Sequence, residues 1–150
     1  MPVRLVNETI FRFGYPDTLV AEYEYWVVLL RPTQPTLGSL VLAAKGAATR
    51  FSELPPEAFS ELHVIVGAIE ATLTIAVEHR RLNYLMLMMV DPNVHFHVIP
   101  RYEGERSSYG VTIRDSAWPQ APGLGEAVVL KPADVILLTS WLRRIWSRTV

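Results

Sequence analysis

Asp91-Pro92-Asn93-Val94-His95-Phe96-His97-Val98-Ile99-Pro100-Arg101 is the stretch from which the rest of the chain is best read. Val94, Phe96 and Val98 alternate with Asn93, His95, His97 and Arg101, the period of a half-buried strand. Residues two apart on a strand share a face, so both imidazoles project side by side and Arg101 follows on the same side. The other face is apolar and belongs on a core. Two histidines in register with an arginine suit binding and attack on a phosphate.

Working outward, Asp91-Pro92 places proline where a type I turn prefers it. The run 82–90 before it (Leu-Asn-Tyr-Leu-Met-Leu-Met-Met-Val) is apolar on both faces beyond Asn83 and Tyr84, which predicts a central, covered strand. The histidine strand then forms a hairpin with it, deep in a sheet. Methionines 86, 88 and 89 suit core packing, or the lining of an adaptable pocket. Upstream, Pro55 and Pro56 open a helix with Phe59, Leu62, Val66, Ile69, Leu73 and Val77 on its apolar stripe, running to about His79. His63 and His79 lie on this helix, the latter where the dipole favours a cation, and neither is assigned a function.

Nearer the N-terminus, 9–13 reads as a short strand closed by the turn at Gly14-Tyr15-Pro16-Asp17. A second strand covers 22–30, and a Pro/Gly-punctuated loop over 31–38 leads to a third strand over 39–44. The Gly38-Ser39 pair at that strand's entrance permits close backbone approach and offers a hydroxyl, which suits a phosphate neighbour. A turn glycine beside a surface serine is the plainer alternative. Downstream, 103–126 shifts to Gly, Ser and Pro around Trp118-Pro119, a functional loop, a disordered segment or a docking arm, with a second subunit as one surface for it. A brief strand over 127–130 precedes a last helix from Pro132, with Val135, Leu138, Leu142 and Ile145 on one face and Arg143, Arg144 and Arg148 towards solvent.

The 150 residues fit one domain, with a core over about 20–103 and a C-terminal arm and helix over 104–150. Half the residues are hydrophobic and 19% are charged, as in soluble globular proteins. A net charge of −1 argues against general binding to nucleic acid or anionic membrane. The absence of cysteine excludes disulfides and iron–sulfur ligation by this chain. The apolar windows 64–77 and 82–90 fall short of a span of ~20 residues, and no leader-like segment opens the chain. A cytoplasmic, soluble protein is the expectation.

Three chemistries suit His95 and His97. One imidazole attacks phosphorus while the other donates to a phosphoryl oxygen, histidine being a neutral nucleophile near physiological pH. Alternatively the pair ligates a metal, with Glu103 next in parity, although Pro100 interrupts the ladder and no further ligand histidine is available. A third possibility is nucleotide binding without reaction. Two polar residues on a solvent-facing sheet surface would need no function at all.

The run from Asn93 to Arg101 closely resembles the signature of the histidine triad (HIT) superfamily, His-φ-His-φ-His-φ-φ with φ apolar, often followed by Pro-Arg. The Trp26-Val-Val-Leu-Leu strand, the loop ending Leu37-Gly38-Ser39, the Ser52-Glu-Leu-Pro-Pro-Glu helix entrance and Asn83-Tyr84-Leu85-Met86 look like bacterial HIT-like proteins of the diadenosine-tetraphosphate-hydrolase-like kind. The resemblance implies an α+β HIT-like fold, an antiparallel sheet packed with one long helix and a C-terminal helix, as a homodimer. It implies a nucleotide phosphohydrolase or nucleotidyl transferase acting at the α-phosphate of a purine nucleotide or dinucleoside polyphosphate, with no cofactor and no metal. His95 matches the nucleophile and His97 the third histidine of the signature; Asn93 replaces the first. Gly38, Ser39, Arg31 and Arg101 are the implied phosphate- and nucleotide-binding residues. With Asn93 in place of a proton carrier, a nucleotide-binding protein with weak or no catalysis is the alternative.

Overall fold

The computed structural model describes residues 4–149, so the first three residues of the segment expected not to be a leader, and the last residue of the C-terminal helix segment, lie outside the described residues. Chain order begins with helix α1 (Glu8–Arg12), followed by β1 (Leu19–Glu22), β2 (Trp26–Leu30), β3 (Thr33–Gln34) and β4 (Leu40–Ala44). The long helix α2 (Pro56–Val77) leads to β5 (Arg81–Leu85) and to β6 (His95–Arg101), the histidine strand. Strands β7 (Glu105–Ser108), β8 (Val111–Arg114) and β9 (Val128–Val129) precede the terminal helix α3 (Pro132–Thr149). A five-stranded antiparallel sheet in the order β1-β2-β4-β6-β5 organises this α+β fold, as expected.

Both faces of that sheet are covered. Trp26, Val28, Leu42 and Val98 face the side on which Ile69 and Leu73 of α2 and Leu138 and Leu142 of α3 are buried. Val27, Leu29, Val41 and Ala43 form a second cluster with Ile10 of α1, and Val6 and Phe13 pack against it. Every residue of β2 and β4 is consequently buried. By length and composition α2 could cross a membrane, being longer than the apolar windows suggest; its Ile65, Ile69 and Leu73 are instead wholly buried in the core.

Several local expectations are corrected. The segment at 9–13 is helix, because the Asn7 side chain accepts a hydrogen bond from the Ile10 N–H at 3.0 Å and Glu8 pairs with Arg12 one turn on. The strand expected over 22–30 is a hairpin: Glu22 ends β1, Trp26 starts β2, and the Glu/Tyr alternation between them is the turn. The methionine run is not a central strand. β5 ends at Leu85 and lies at the sheet edge, and 86–90 leaves the ladder with Met89 84% and Val90 83% exposed. The sequence pattern of a strand covered on both faces is here a short strand followed by an apolar loop. β6 is nevertheless internal, between β4 and β5.

The long C-terminal segment is ordered against the sheet. β7 and β8 form a hairpin, and β9 pairs with β3. Asp115 receives the Arg101 Nε at 2.8 Å and its Nη2 at 3.0 Å, both residues being buried. The Tyr102 hydroxyl donates to the Ile113 carbonyl and accepts from the Leu37 N–H, both at 2.8 Å, joining this arm to the loop before β4.

Candidate functional site

His95 and His97 project from β6 opposite Ala43 and Val41 of β4. A period-2 polar stripe suggests a face open to water, but α1 lies over it, leaving His95 2% and His97 7% exposed. Phe13, at the C-terminal cap of α1, sets its ring 5.5 Å from the His95 ring centroid and 5.8 Å from that of His97. The two imidazoles are 5.1 Å apart, nearly perpendicular.

Each ring has its tautomer set by one partner. His95 Nδ1 lies 2.7 Å from the Asn93 carbonyl oxygen. A carbonyl only accepts, so Nδ1 carries the proton and Nε2 keeps a free lone pair. His97 Nδ1 lies 3.3 Å from Arg31 Nε, which only donates. His97 Nδ1 is therefore the acceptor and Nε2 carries the proton. Burial, then the neighbouring Arg31 and His95, push the His97 pKa down to about 4, so this ring is a neutral donor at neutral pH.

Arg31 is aimed by the loop 31–38. Its Nη1 donates to the Thr33 carbonyl at 2.8 Å and to the Thr33 hydroxyl. Gln34, fully buried, closes this loop: its amide donates to the carbonyls of Arg31 and Ser39, and its oxygen accepts from the N–H groups of Gly38 and Ser39. Gly38 is required here by its φ of +91° and by Leu73, whose Cδ2 would lie 3.2 Å from an added Cβ. Burial lowers the Arg31 pKa, but an arginine has so high a starting value that it stays charged.

The residues singled out from the sequence thus divide. Arg31, His95 and His97 share a cavity of about 290 Å3 whose other walls include Phe13, Asp91, Leu124 and the loop 87–90. Ser39 does not reach it. Its hydroxyl donates to the Thr36 carbonyl at 2.8 Å and it has no exposed surface, so with Gly38 it shapes the loop that carries Arg31. Arg101 is also withheld, because both sides of its guanidinium are taken by Asp115 and by Asn83, the latter at 2.9 Å. It lines a different cavity, with Arg80, Arg81 and the half-buried Trp118. Asn93 gives its backbone oxygen to His95, while its side-chain oxygen accepts from the Thr9 hydroxyl at 3.1 Å. That side chain borders a third cavity, of about 700 Å3, beside Asn7 and Tyr25.

Sequence reasoning missed Phe13, Thr9 and Leu124, and it placed the methionines in a strand. The first two were legible through α1: an Asn7 cap with Glu8 and Arg12 at helical spacing is a recognisable start signal. Leu124 carries no local signal. The metal-ligand set is not assembled, since Glu103 is exposed beyond the end of β6 and no three His, Asp or Glu side chains converge among the described residues.

Comparison with known proteins is informative at the level of fold. No family model and no curated protein matches this sequence. Among solved structures, a histidine triad protein from Marinobacter aquaeolei superposes with a TM-score of 0.73 at 20% identity, covering 99% of this chain and 100% of that one. One from Bradyrhizobium japonicum gives 0.71 at 20% identity, covering 95% and 98%. A Plasmodium falciparum diadenosine triphosphate hydrolase gives 0.66 at 8% identity, covering 89% and 78%. The fold is that of the histidine triad proteins.

Proposed function

We propose that this chain, folded as a histidine triad protein, binds a purine nucleotide in the Arg31/His95/His97 cavity and cleaves a bond at its α-phosphorus. The observation that carries this is the 2.7 Å contact between His95 Nδ1 and the Asn93 carbonyl, which leaves Nε2 free to attack. A bond from Nε2 to phosphorus forms as the bond from phosphorus to the leaving group breaks. The leaving group keeps that electron pair and takes a proton from water. A second water then cleaves the phosphorus–nitrogen bond, releasing the nucleotide, a proton and free His95. The neutral His97 Nε2–H and the Arg31 guanidinium stabilise charge on the phosphoryl oxygens.

The chemistry is tested by turnover of an adenosine phosphoramidate or a dinucleoside polyphosphate, with acid quenching and intact mass to trap the nucleotidyl adduct. His95→Ala is expected to abolish the adduct and to lower turnover by at least ~10²-fold, the smaller effect of losing an acid–base group. Turnover of His95→Ala at the wild-type rate would remove the nucleophile assignment. A second reading, nucleotide binding with little turnover, is favoured by the engagement of the Asn93 side chain with Thr9. It predicts that Asn93→His raises hydrolysis strongly. The sequence resemblance also supports a homodimer, and sedimentation velocity showing a single species at the monomer mass would remove that expectation.

A further inference from the structure

The sheet face that carries His95 and His97 has a second polar cluster at its far end. Arg101 follows His97 at a distance of about 13 Å along β6, at ~3.3 Å per residue. Beside it opens a separate cavity of about 430 Å3, walled by Arg80, Arg81, Asn83, Arg101 and Trp118. Asp115 answers the charge of Arg101. Arg81 lies directly across the ladder from Arg101, and the Arg80 N–H donates to the Arg101 carbonyl at 2.7 Å, so backbone pairing brings all three arginines together. Arg80 and Arg81 are exposed, and among the described residues no carboxylate pairs with either. Like charges across a ladder repel, so three arginines with a single acid form an arrangement that a bound anion relieves. The cluster also runs against the net charge of the chain, which is −1.

Trp118 gives this cavity a flat wall. The same ion pair pins its segment, because the Trp118 N–H donates to the Asp115 carbonyl at 3.3 Å and Asp115 is held by Arg101. The ring is half-buried, yet no guanidinium lies over it among the described residues. Guanidinium groups present paired N–H donors that match the oxygens of a phosphate, and an indole presents a face to a planar ring.

We propose that this cavity binds a small phosphate monoester carrying a planar ring, at a site separate from the histidine cavity. The phosphate meets Arg80 and Arg81, and the ring lies on Trp118. No histidine, serine or carboxylate stands among its described walls, so the site holds its ligand without reacting with it.

The indole N–H resonance of Trp118 in the 15N-labelled full chain, assigned by its loss in Trp118→Leu, reports on this cavity and not on the other. Phenyl phosphate is expected to shift it saturably. Half-saturation should fall at a concentration at least ~10-fold lower than for inorganic phosphate, the scale of one ring stacked on an aromatic side chain. Arg80→Gln/Arg81→Gln should raise the half-saturation concentration for phenyl phosphate by at least ~10-fold, as expected for losing hydrogen bonds to a charged group. Arg31→Gln, in the histidine cavity, should leave it unchanged. If the double variant does not fold, Arg80→Gln and Arg81→Gln taken singly make the same comparison. A Trp118 resonance that phenyl phosphate does not move, equal half-saturation by the two anions, an undiminished response in the Arg80 and Arg81 variants, or loss of the response in Arg31→Gln would each overturn the proposal. The assignment of His95 as nucleophile stands or falls separately, on the trapped adduct.

Discussion

Asn93 has two separate tasks for two oxygen atoms. The backbone oxygen fixes the His95 tautomer, and the side-chain oxygen accepts from Thr9, whose hydroxyl also receives the Asn93 N–H at 3.1 Å. Thr9 has no exposed surface, so water cannot replace it. Thr9→Val keeps the side-chain shape and removes both bonds, leaving a buried N–H and a buried amide oxygen without partners. The expected cost is about 1–3 kcal/mol in urea denaturation, the range for a buried polar group stripped of its partner. If Thr9 holds Asn93 in place, this variant also lowers nucleotide turnover at unchanged nucleotide affinity, because the His95 ring loses its fixed aim. An unchanged unfolding midpoint would show that the pair contributes nothing. None of this is visible in a strand pattern, since Thr9 and Asn93 are distant in sequence.

At the level of elements, β6 is tied down at both ends by different means. The residue leading into it, Asn93, is held by Thr9 of α1, its first residue His95 packs against Phe13 at the end of that helix, and its last is held by the C-terminal arm through Arg101 and Asp115. The Arg101–Asp115 pair is buried, with bidentate geometry, and Asp115 also accepts a hydrogen bond from the Tyr102 N–H at 3.2 Å. Asp115→Ala strands the guanidinium in the interior and is expected to cost about 3–5 kcal/mol by chemical denaturation. Replacing both partners with apolar residues, as in Arg101→Met/Asp115→Leu, should recover most of that loss, because the penalty comes from the uncompensated charge. A double variant as unstable as the single one would show that the pair contributes geometry that apolar packing does not restore. The sequence placed Arg101 on the histidine face correctly by parity. It gave no indication of the partner, because Asp115 reaches it only when the arm folds back.

The whole molecule is what makes His97 a neutral ring. Its environment is assembled from α1, from the loop carrying Arg31 and from β6, three parts distant in the chain. A folded pKa of about 4 stands below the ordinary histidine value, so the unfolded chain takes up this proton first as the pH falls. The stabilisation is fully present above the ordinary value near ~6.5 and is lost as pH falls towards the folded value of about 4. In full it amounts to something on the order of 3 kcal/mol, at 1.36 kcal/mol for each unit of displacement. Melting temperature recorded from pH 7.5 down to ~4.5 should therefore decline more steeply in the wild type than in His97→Gln, which has no proton to gain there. Parallel declines in the two proteins would mean that other groups carry the acid sensitivity.

By itself the sequence determined the alternation of β6, the start of α2 at its two prolines, the apolar face of α3 and the pairing of the histidine strand within a sheet. These follow from periods and backbone preferences that act over a few residues; the antiparallel α+β architecture came from the family resemblance of the histidine stretch and the segments around it. Only the tertiary structure decided which polar residues meet. Arg31 reaches His97 because Gln34 closes its loop, whereas Ser39 and Arg101 share the right strand parity but are taken up by Thr36 and Asp115. The methionine run shows the same limit from the apolar side: hydrophobicity called for burial, but the sheet ended at Leu85 and left those side chains at the mouth of the site. Period tells a side chain which way to point; what it finds there depends on segments that arrive from elsewhere in the chain.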